Sequence, residues 1–286
     1  MMQNNNIIHS ILESEGLFSY DYESVNGGDI NKSYCIYNGI NKFFLKINNA
    51  SLYPGMFVAE AEGLKALEIS SFLIPQVINK GNIDGYQYLL MEWIETGKPS
   101  VDFWKNFGHT LAQLHLNSNK EFGFNTDNYI GSITQINTLT NNWEEFYSQY
   151  RIMPLVRILL NQKDYNTNDV QHAEMFCKHI KEIFPDEPPA LLHGDLWSGN
   201  YKVDEKDNPA LYDPAVYFGH REMDIGMTKL FGSFSSELYD RYNEVYPLEK
   251  DWKIRLLYTQ LYPLLVHAVL FGSHYISETK DIIHRF

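Results

Sequence analysis

Three features that assign chains to common protein classes are scarce in this sequence. Its 286 residues include only two cysteines, Cys35 and Cys177, in no CxxC pair, which excludes a disulfide framework and a thiolate zinc site and fits a reducing, cytoplasmic location. Lys and Arg number 23 against 36 Asp and Glu, and the net charge of −13 argues against nucleic acid or an anionic membrane surface as a partner. The longest apolar run, residues 261–272, is too short to span a bilayer. We therefore expect no nucleic-acid and no membrane partner.

Composition and turn signals predict an α+β chain in two lobes. With 44% hydrophobic and 21% charged residues, the chain has an ordinary globular composition. Up to about residue 95, apolar runs alternate with turn signals such as Asn38-Gly39 and Asp84-Gly85, which predicts a small antiparallel sheet with one main helix. From residue 96 onward, helical periodicity dominates, in segments 104–116, 143–160, 168–184 and 256–275. The expected lobes are therefore residues 1–95 and a larger, mostly helical part at 96–286.

The stretch from His193 to Asn200 has the His-x-Asp-Leu-x-x-x-Asn spacing of a kinase catalytic loop. In such a loop the Asp, here Asp195, accepts or orients the proton of the acceptor hydroxyl, and the Asn, here Asn200, binds Mg²⁺. Residues 201–212 are typical of a hairpin that returns Asp213 beside Asn200 as a second metal ligand, since carboxylate and amide oxygens suit Mg²⁺. The triplet alone could be an ordinary polar loop. Both halves together, each preceded by an apolar strand, favour MgATP chemistry.

A lysine in the first lobe supplies an independent indication of the same chemistry. Lys46 lies within the apolar strand Phe43-Phe44-Leu45-Lys46-Ile47, where an ammonium group is costly unless it meets an anion. On the following helix, Glu60 falls on the apolar stripe, whereas Glu62 points away. A strand Lys paired with a helix Glu is the kinase arrangement that positions the α- and β-phosphates. Either residue alone could be a solvated surface charge, but their joint appearance in kinase order favours the pair.

Two further segments of the first lobe are candidates for binding the nucleotide. Gly27 and Gly28 lie between two predicted strands, where backbone N–H groups could cover phosphates, although an ordinary hairpin turn has the same sequence pattern. Met91, Glu92 and Ile94 lie where a strand enters the connection between the lobes, and chain order places an adenine edge there. The lobe at 1–95 is therefore predicted to bind ATP, and the lobe at 96–286 to carry catalysis and the acceptor.

The acceptor is predicted to be a small molecule with a hydroxyl group. Only ten residues separate Asp213 from Asp224, too few for the activation segment and peptide-docking platform of a protein kinase. Trp197, inside the catalytic loop, could form a stacking wall for a sugar, with ordinary packing as the alternative, and His193 is assigned to the same substrate side. Asp224, near a helix start, is predicted to accept hydrogen bonds from backbone N–H groups of the catalytic loop.

At this point the sequence resembles the fructosamine kinase family, the ketosamine 3-kinases, which share a fold with aminoglycoside phosphotransferases and, more distantly, with protein kinases. The most specific matches are Gly194-Asp195-Leu196-Trp197-Ser198-Gly199-Asn200 and Asp213-Pro214-Ala215. Further matches are Gly27-Gly28-Asp29-Ile30-Asn31, Phe44-Leu45-Lys46, Phe122-Gly123-Phe124 and Gln135-Ile136-Asn137. The resemblance implies a bilobal, protein-kinase-like fold and ATP-dependent phosphorylation of the sugar 3-hydroxyl of fructosamines or ribulosamines, which leads to deglycation.

The cofactors expected are ATP and Mg²⁺, and the partner is a small sugar-amine, free or attached to a glycated protein side chain. The chain is expected to be a monomer or a weak dimer. Two alternatives stay open at this stage. One is an aminoglycoside- or amino-alcohol-directed kinase of the same fold, which the acidic second lobe would also suit. The other is a nucleotide-binding protein without catalysis, against which the set Lys46, Glu60, Asp195, Asn200 and Asp213 argues.

Overall fold

The first part of the chain forms one antiparallel sheet. The computed structural model describes residues 2–25, 30–232 and 234–286, so Gly27 and Gly28 lie outside the described residues. Five strands have the spatial order β1-β2-β3-β5-β4, and all neighbours are antiparallel. The strands are β1 (Asp21–Val25), β2 (Lys32–Tyr37), β3 (Lys42–Asn49), β4 (Val77–Ile83) and β5 (Tyr86–Glu92). The turn between β4 and β5 places Asp84 at φ 49° and Gly85 at φ 80°, as a two-residue hairpin loop requires.

Two helices cover the opposite faces of this sheet. Side chains alternate along a strand, so Leu45 and Ile47 of β3 pack on helix α1 (Met2–Ser14), while Lys46 faces helix α2 (Met56–Leu67). Helix α2 buries an apolar stripe against the other face of β5. The predicted small sheet with its main helix α2 is confirmed, and α1 is a second helix on the other face of that sheet.

The rest of the chain is mainly helical. Its helices are α3 (Phe103–His115), α4 (Trp143–Tyr147), α5 (Met153–Gln162), α6 (Thr167–Ile183), α7 (Glu222–Leu230), α8 (Ser236–Val245), α9 (Trp252–Thr259), α10 (Leu261–Phe271) and α11 (His274–Ile283). A π-helical turn (Ser148–Ile152) joins α4 to α5, so the predicted segment 143–160 is one nearly continuous rod. A small sheet and a larger helical part confirm the α+β prediction. The predicted division between residues 95 and 96 falls in the connection between β5 and α3, and it remains a prediction.

In the part of the chain that the structure describes, three two-stranded antiparallel sheets lie between the helices and carry the polar motifs. They are β6 (Asn128–Ile130) with β7 (Ile133–Gln135), β8 (Ala190–Leu192) with β11 (Tyr217–Gly219), and β9 (Tyr201–Val203) with β10 (Pro209–Leu211). The loop 193–200 joins β8 to β9, and Asp213 directly follows β10. Pairing of β8 with β11 and of β9 with β10 therefore brings the two polar segments side by side.

The predicted helix 256–275 is wrong in its bounds, because the chain breaks it twice. Helix α9 ends before Gln260, and Gly272 (φ 62°) and Ser273 (φ 58°) separate α10 from α11. Helices α9 and α10 together form a 20-residue stretch, Trp252–Phe271, that could cross a membrane by length and composition. The sequence argument that the apolar run 261–272 is too short to span a bilayer therefore does not apply to this longer stretch. Much of α10 is nevertheless buried against other helices, as the core helix of a folded domain is.

Helices α3 and α8 pack closely at a glycine. On α3, Phe103, Phe107 and Leu111 recur at helical spacing and are fully buried. Gly108 lies on the face toward α8, where a Cβ atom would overlap the backbone carbonyl of Leu238. Because the obstacle is backbone, the helices would have to separate to admit a side chain.

We expect Gly108→Ala to destabilise the protein by about 1–3 kcal/mol, because overpacking forces backbone shifts, and to lower Tm by a few degrees. Thermal unfolding followed by circular dichroism measures this. Asn106→Ala, on the exposed side of the same helix, is the control and should change stability by less than about 0.5 kcal/mol. Equal Tm values for the two variants would contradict the close helix contact.

Candidate active site

A buried ion pair links β3 to α2. Lys46 is 3% exposed and Glu60 is 9% exposed, and the Lys46 Nζ atom lies 2.6 Å from Glu60 Oε1. Strand alternation turns Lys46 toward α2, and the helical stripe turns Glu60 toward the sheet. Each charge lowers the cost of burying the other, because an isolated buried ion costs several kcal/mol, about the scale of the whole protein's stability.

Asp213 is the second carboxylate that contacts Lys46 Nζ. It lies in the left-handed region at φ 56°, a conformation that non-glycine residues rarely adopt. Burial opposes the charge of Lys46, but the carboxylates of Asp213 and Glu60 outweigh this and raise its pKa. Burial also raises the pKa of Glu60 to about 7, which Lys46 counters and Asp213 reinforces. The ammonium is thus held permanently charged between two acids.

The loop 193–200 is held from below by Asp224 of α7. The Asp224 carboxylate accepts hydrogen bonds from the backbone N–H groups of His193 at 2.7 Å and Gly194 at 2.9 Å. His115 Nε2 of α3 lies 3.2 Å from the same carboxylate. Gly194 adopts φ 83°, and a Cβ there would overlap the carbonyl oxygen of Ala215. Glycine is therefore required where the two polar segments touch.

His193 serves the loop and does not line the cavity. Its side chain is fully buried; Nε2 donates to the Tyr212 carbonyl at 3.1 Å, and Nδ1 accepts from the Asp195 backbone N–H at 3.3 Å. One neutral imidazole satisfies both bonds, and burial, which outweighs the nearby Asp224 charge, lowers the pKa of His193. The prediction that His193 contacts substrate does not fit this placement, because the HxD motif carries no information about which way the ring points.

Asp195 and Asn200 are in direct contact. The Asn200 amide nitrogen donates to Asp195 Oδ2 at 3.0 Å and to the Asp195 carbonyl at 2.9 Å. The amide oxygen of Asn200 therefore points away from Asp195. Withdrawal from water raises the pKa of Asp195 to about 7; the Asn200 hydrogen bond opposes this shift, and the charges of Asp213 and Asp224 add to it. A carboxylate of this kind can take up a proton near neutral pH.

These groups share one wall of a cavity of about 630 Å³. The wall is formed by Lys46, Glu60, Asp195, Asn200 and Asp213. The lining also includes a largely aromatic and apolar group, called here the aromatic wall, which consists of Ile130, Trp197, Met227, Phe231, Val266, His267, Leu270, Phe271 and Tyr275. The first wall has the charged groups for phosphate chemistry, and the second has flat rings that can stack on a compact ligand.

The aromatic wall contains residues that sequence reasoning missed. Trp197, which the sequence singled out, is 38% exposed and lies with its ring centroid 6.1 Å from that of Phe231. Phe231 in turn lies 4.9 Å from His267, whose Nδ1 is bound to the Pro263 carbonyl at 2.8 Å. His267 lies on α10, about seventy positions after Trp197, and looks like a helix residue in an apolar run. No local pattern connects it to the catalytic loop.

A smaller cavity adjoins the first at the end of β5. Met91, Glu92 and Ile94 line it, together with Phe44, Pro75, Trp93, Lys202, Tyr212 and Asp213. The structure thus brings the three predicted residues beside Asp213, although the Glu92 backbone N–H is already donated to Gln76. The Lys202 ammonium lies 5.2 Å from the Trp93 ring centroid. Burial lowers the pKa of Lys202.

The oxygen donors of the first wall fit a divalent cation that is already bound to phosphate. Asp213 is partly exposed and lines the cavity together with Asn200, whose amide oxygen is a second hard donor. Within residues 2–25, 30–232 and 234–286, no three His, Cys, Asp or Glu side chains are grouped to hold a metal by themselves. Such a cation would therefore complete its shell with phosphate oxygens, as Mg²⁺ usually does in nucleotide sites.

Comparison with known proteins decides the family. The fructosamine kinase family model matches residues 2–286. The chain belongs to the fructosamine kinase family. A probable ketoamine kinase of Enterococcus faecium is 39% identical over 268 residues, covering 92% of this chain and 94% of that protein. The chloroplastic protein-ribulosamine 3-kinase of Oryza sativa subsp. japonica is 37% identical, covering 91% of this chain and 77% of its own length.

Solved structures agree with this family assignment. The crystal structure of a Thermobifida fusca protein named as a fructosamine-3-kinase has a TM-score of 0.83 and 34% identity, and the match covers 92% of each chain. A thermostable mutant of the aminoglycoside phosphotransferase APH(4)-Ia matches at a TM-score of 0.63 and 14% identity over 96% of this chain and 97% of that one, which shows a common fold alone. The bilobal, kinase-like fold predicted from sequence is confirmed.

In this member of the family, Glu60→Gln should weaken ATP binding about tenfold or more, because Lys46 loses one of its two anionic partners and is free to shift toward Asp213. Isothermal titration calorimetry with MgATP measures the change. Glu62→Gln is the matched control on the same helix, since Glu62 is exposed and accepts a hydrogen bond from the Thr126 hydroxyl. Equal affinities in the two variants would remove Glu60 from the site.

Proposed function

We propose that this protein is an ATP-dependent ketosamine kinase that phosphorylates the sugar 3-hydroxyl of fructosamines or ribulosamines. One observation carries the proposal: Asp195, Asn200, Asp213 and the Lys46–Glu60 pair line a single cavity together with the aromatic wall. Family membership and relatives named ketoamine kinase and protein-ribulosamine 3-kinase support the same reaction. Phosphorylation at this hydroxyl would begin removal of the sugar, that is, deglycation.

In the proposed reaction, Asp195 accepts the proton of the acceptor hydroxyl while the oxygen of that hydroxyl bonds to the γ-phosphorus. Bound ATP would supply the γ-phosphoryl group, and its Mg²⁺ would neutralise the negative charge that develops as the bond between this group and ADP breaks. Lys46, kept in place by Glu60, donates hydrogen bonds to phosphate oxygens. Positioning and charge stabilisation would supply most of the acceleration, as in phosphoryl transfer generally.

The proposed metal site consists of Asp213 and Asn200. Asn200 donates its amide nitrogen to Asp195, so one residue orients the base with its nitrogen and offers its oxygen to Mg²⁺. Lys46, which now contacts Asp213, is the group that the cation would join or displace at that carboxylate. Glu60, Asp195, Asp213 and Lys46 all line this cavity, so three carboxylates and one ammonium group are close together. A divalent cation would balance the excess negative charge.

The nucleotide is proposed to lie between the lobes at 1–95 and 96–286. Its adenine would occupy the smaller cavity at Met91, Glu92 and Ile94, next to Asp213. Gly27 and Gly28 remain candidates for the phosphate-covering turn, because β1 and β2, which flank them, lie on the same sheet as Lys46.

The aromatic wall favours a ketosamine over an aminoglycoside. Among the described residues that line the larger cavity, the only carboxylates are Glu60, Asp195 and Asp213, and all three belong to the charged group around Lys46. A polycationic aminoglycoside would find no anionic partner on the acceptor side, whereas a sugar ring can stack on Trp197. Phe271 is 53% exposed, so this wall extends to the surface and leaves room for a sugar carried by a protein side chain. A cytoplasmic location and a monomeric or weakly dimeric state remain predictions.

The first test is a panel of ketosamines and aminoglycosides assayed for ADP release with Mg²⁺. We expect turnover of ketosamines only, and a loss of about 10²–10⁴ in kcat for Asp195→Asn, since a general base contributes about that factor. Asp281→Asn, an exposed carboxylate on α11, is the control and should keep full activity. Preferential turnover of aminoglycosides, or an Asp195→Asn variant as active as the control, would overturn the proposal.

The pH profile tests the base separately. Asp195 must be ionised to accept a proton, so kcat/KM should fall about tenfold per pH unit below an apparent pKa near 7 and level off above it. Bound Mg²⁺ should move this limb to lower pH, because a cation favours the carboxylate form. Initial rates at limiting and saturating MgATP measure both effects. Glu60→Gln should retain the limb and Asp195→Asn should lose it; the reverse result would assign the titration to Glu60.

A further inference from the structure

A buried glutamine connects the acceptor side of the cavity to the turn that carries Asp213. Gln135, at the end of β7, is 2% exposed. Its amide nitrogen donates to Asn128 Oδ1 at 2.7 Å and to the Ala215 carbonyl at 3.1 Å. Its amide oxygen accepts a hydrogen bond from the Tyr262 hydroxyl at 2.8 Å. Such a fully bonded buried amide has one orientation only, because any rotation leaves polar groups unpaired.

The backbone after Asp213 is held by this cluster on one side and by the catalytic loop on the other. Asn128 donates its amide nitrogen to the Val216 carbonyl at 2.8 Å, so two consecutive carbonyls receive side-chain donors from the β6–β7 hairpin. The Ala215 N–H donates to the His193 carbonyl at 2.9 Å. The left-handed conformation of Asp213 persists only where neighbours impose it, and these bonds are the constraint two residues away.

The same cluster reaches the aromatic wall. Tyr262 begins α10, the helix that presents Pro263, Val266 and His267 to the cavity. The hairpin between Asn128 and Gln135 contributes Ile130, Gly131 and Ser132 to the same lining. Three hydrogen bonds of the Gln135 amide thus connect helix α10 and the β6–β7 hairpin, which both line the cavity, to the backbone that follows Asp213.

A buried guanidinium keeps the cluster from shifting. Arg151 is fully buried in the π-helical turn; it donates to the Ile136 carbonyl at 2.7 Å and to Asn137 Oδ1 at 2.6 Å, directly after Gln135. Its guanidinium carbon lies 5.5 Å from the ring centroid of Tyr262. The segment that carries Gln135 is therefore anchored by Arg151 as well as by the bonds of Gln135 itself.

We infer that Gln135 is a positioning residue for phosphoryl transfer: through its hydrogen bond to the Ala215 carbonyl, it sets where the Asp213 carboxylate lies relative to the aromatic wall. The inference rests on the proposed function in that it takes Asp213 as the carboxylate that binds the nucleotide's divalent cation. Gln135 does not line the cavity, so replacing it should weaken cation binding although every proposed ligand side chain is still present.

The test is Mn²⁺ binding by the full-length protein in the presence of a non-hydrolysable ATP analogue, followed by electron paramagnetic resonance. Gln135→Met keeps side-chain volume but loses all three bonds. It should raise the Mn²⁺ Kd about tenfold, because the Ala215 carbonyl and the Asn128 amide oxygen both lose their donor. Tyr262→Phe removes only the hydroxyl and should raise the Kd by less. In the double variant, the Tyr262→Phe change should add nothing, since both act through the same amide.

Tyr165→Phe is the matched control. It also removes a buried hydroxyl, one that donates to the Thr279 hydroxyl at 2.8 Å, and this bond shares no residue with the Gln135 cluster. Tm values for all variants show whether each is folded.

The inference is overturned if folded Gln135→Met binds Mn²⁺ within about twofold of the wild type, or if Tyr165→Phe raises the Kd as much as Tyr262→Phe does. Should Gln135→Met fail to fold, the comparison of Tyr262→Phe with Tyr165→Phe decides the matter by the same criterion.

The proposed function and this inference fail in different ways. A wild-type protein that binds Mn²⁺ with the analogue but leaves ketosamines unphosphorylated refutes the proposed substrate, while loss of Mn²⁺ binding in Gln135→Met still supports the inference. Phosphorylation of ketosamines together with unchanged Mn²⁺ binding in Gln135→Met refutes the inference alone. A wild-type protein that binds no Mn²⁺ with the analogue refutes both.

Discussion

The buried ammonium of Lys46 is the constraint on which the rest of the site depends. An uncompensated charge at that depth would cost several kcal/mol, so the fold must bring carboxylates to it. Glu60 comes from the helix packed on the same sheet, and Asp213 comes from the turn after β10. The result is a site with more carboxylates than ammonium groups, in which Glu60 and Asp195 both have raised pKa values. That imbalance makes the cavity receptive to a cation.

The second constraint is on backbone placement. The catalytic loop and the Asp213 turn are held by buried side chains: Asp224 binds the loop, and Gln135 and Asn128 bind the turn. Each of these is a buried polar group whose bonds are satisfied by main-chain atoms of the site. The reactive side chains thus stand on a framework of buried hydrogen bonds, and the aromatic wall is attached to the same framework through Tyr262.

Sequence patterns predicted the fold where a local period exists. Strand alternation and Asp84-Gly85 signalled the sheet, and apolar spacing signalled α3 and α6 to within about two residues. They missed the breaks at Gln260 and Gly272, because the run 261–272 is apolar on all sides and shows no stripe. Helix α8 also escaped, since its apolar positions are few and its burial comes from contact with α3.

The sequence by itself determined the chemistry available to this protein, because motif spacing fixes which residue types follow a strand or a turn: Asp195, Asn200 and Asp213 can be named from it, and so can the Lys46–Glu60 pair. The tertiary structure alone decided the surroundings. His193 turned inward, His267 joined Trp197 across about seventy residues, and Gln135 met Ala215 across 80. Contacts between residues so far apart follow from the packing of whole elements, and packing leaves no periodic signal in the chain.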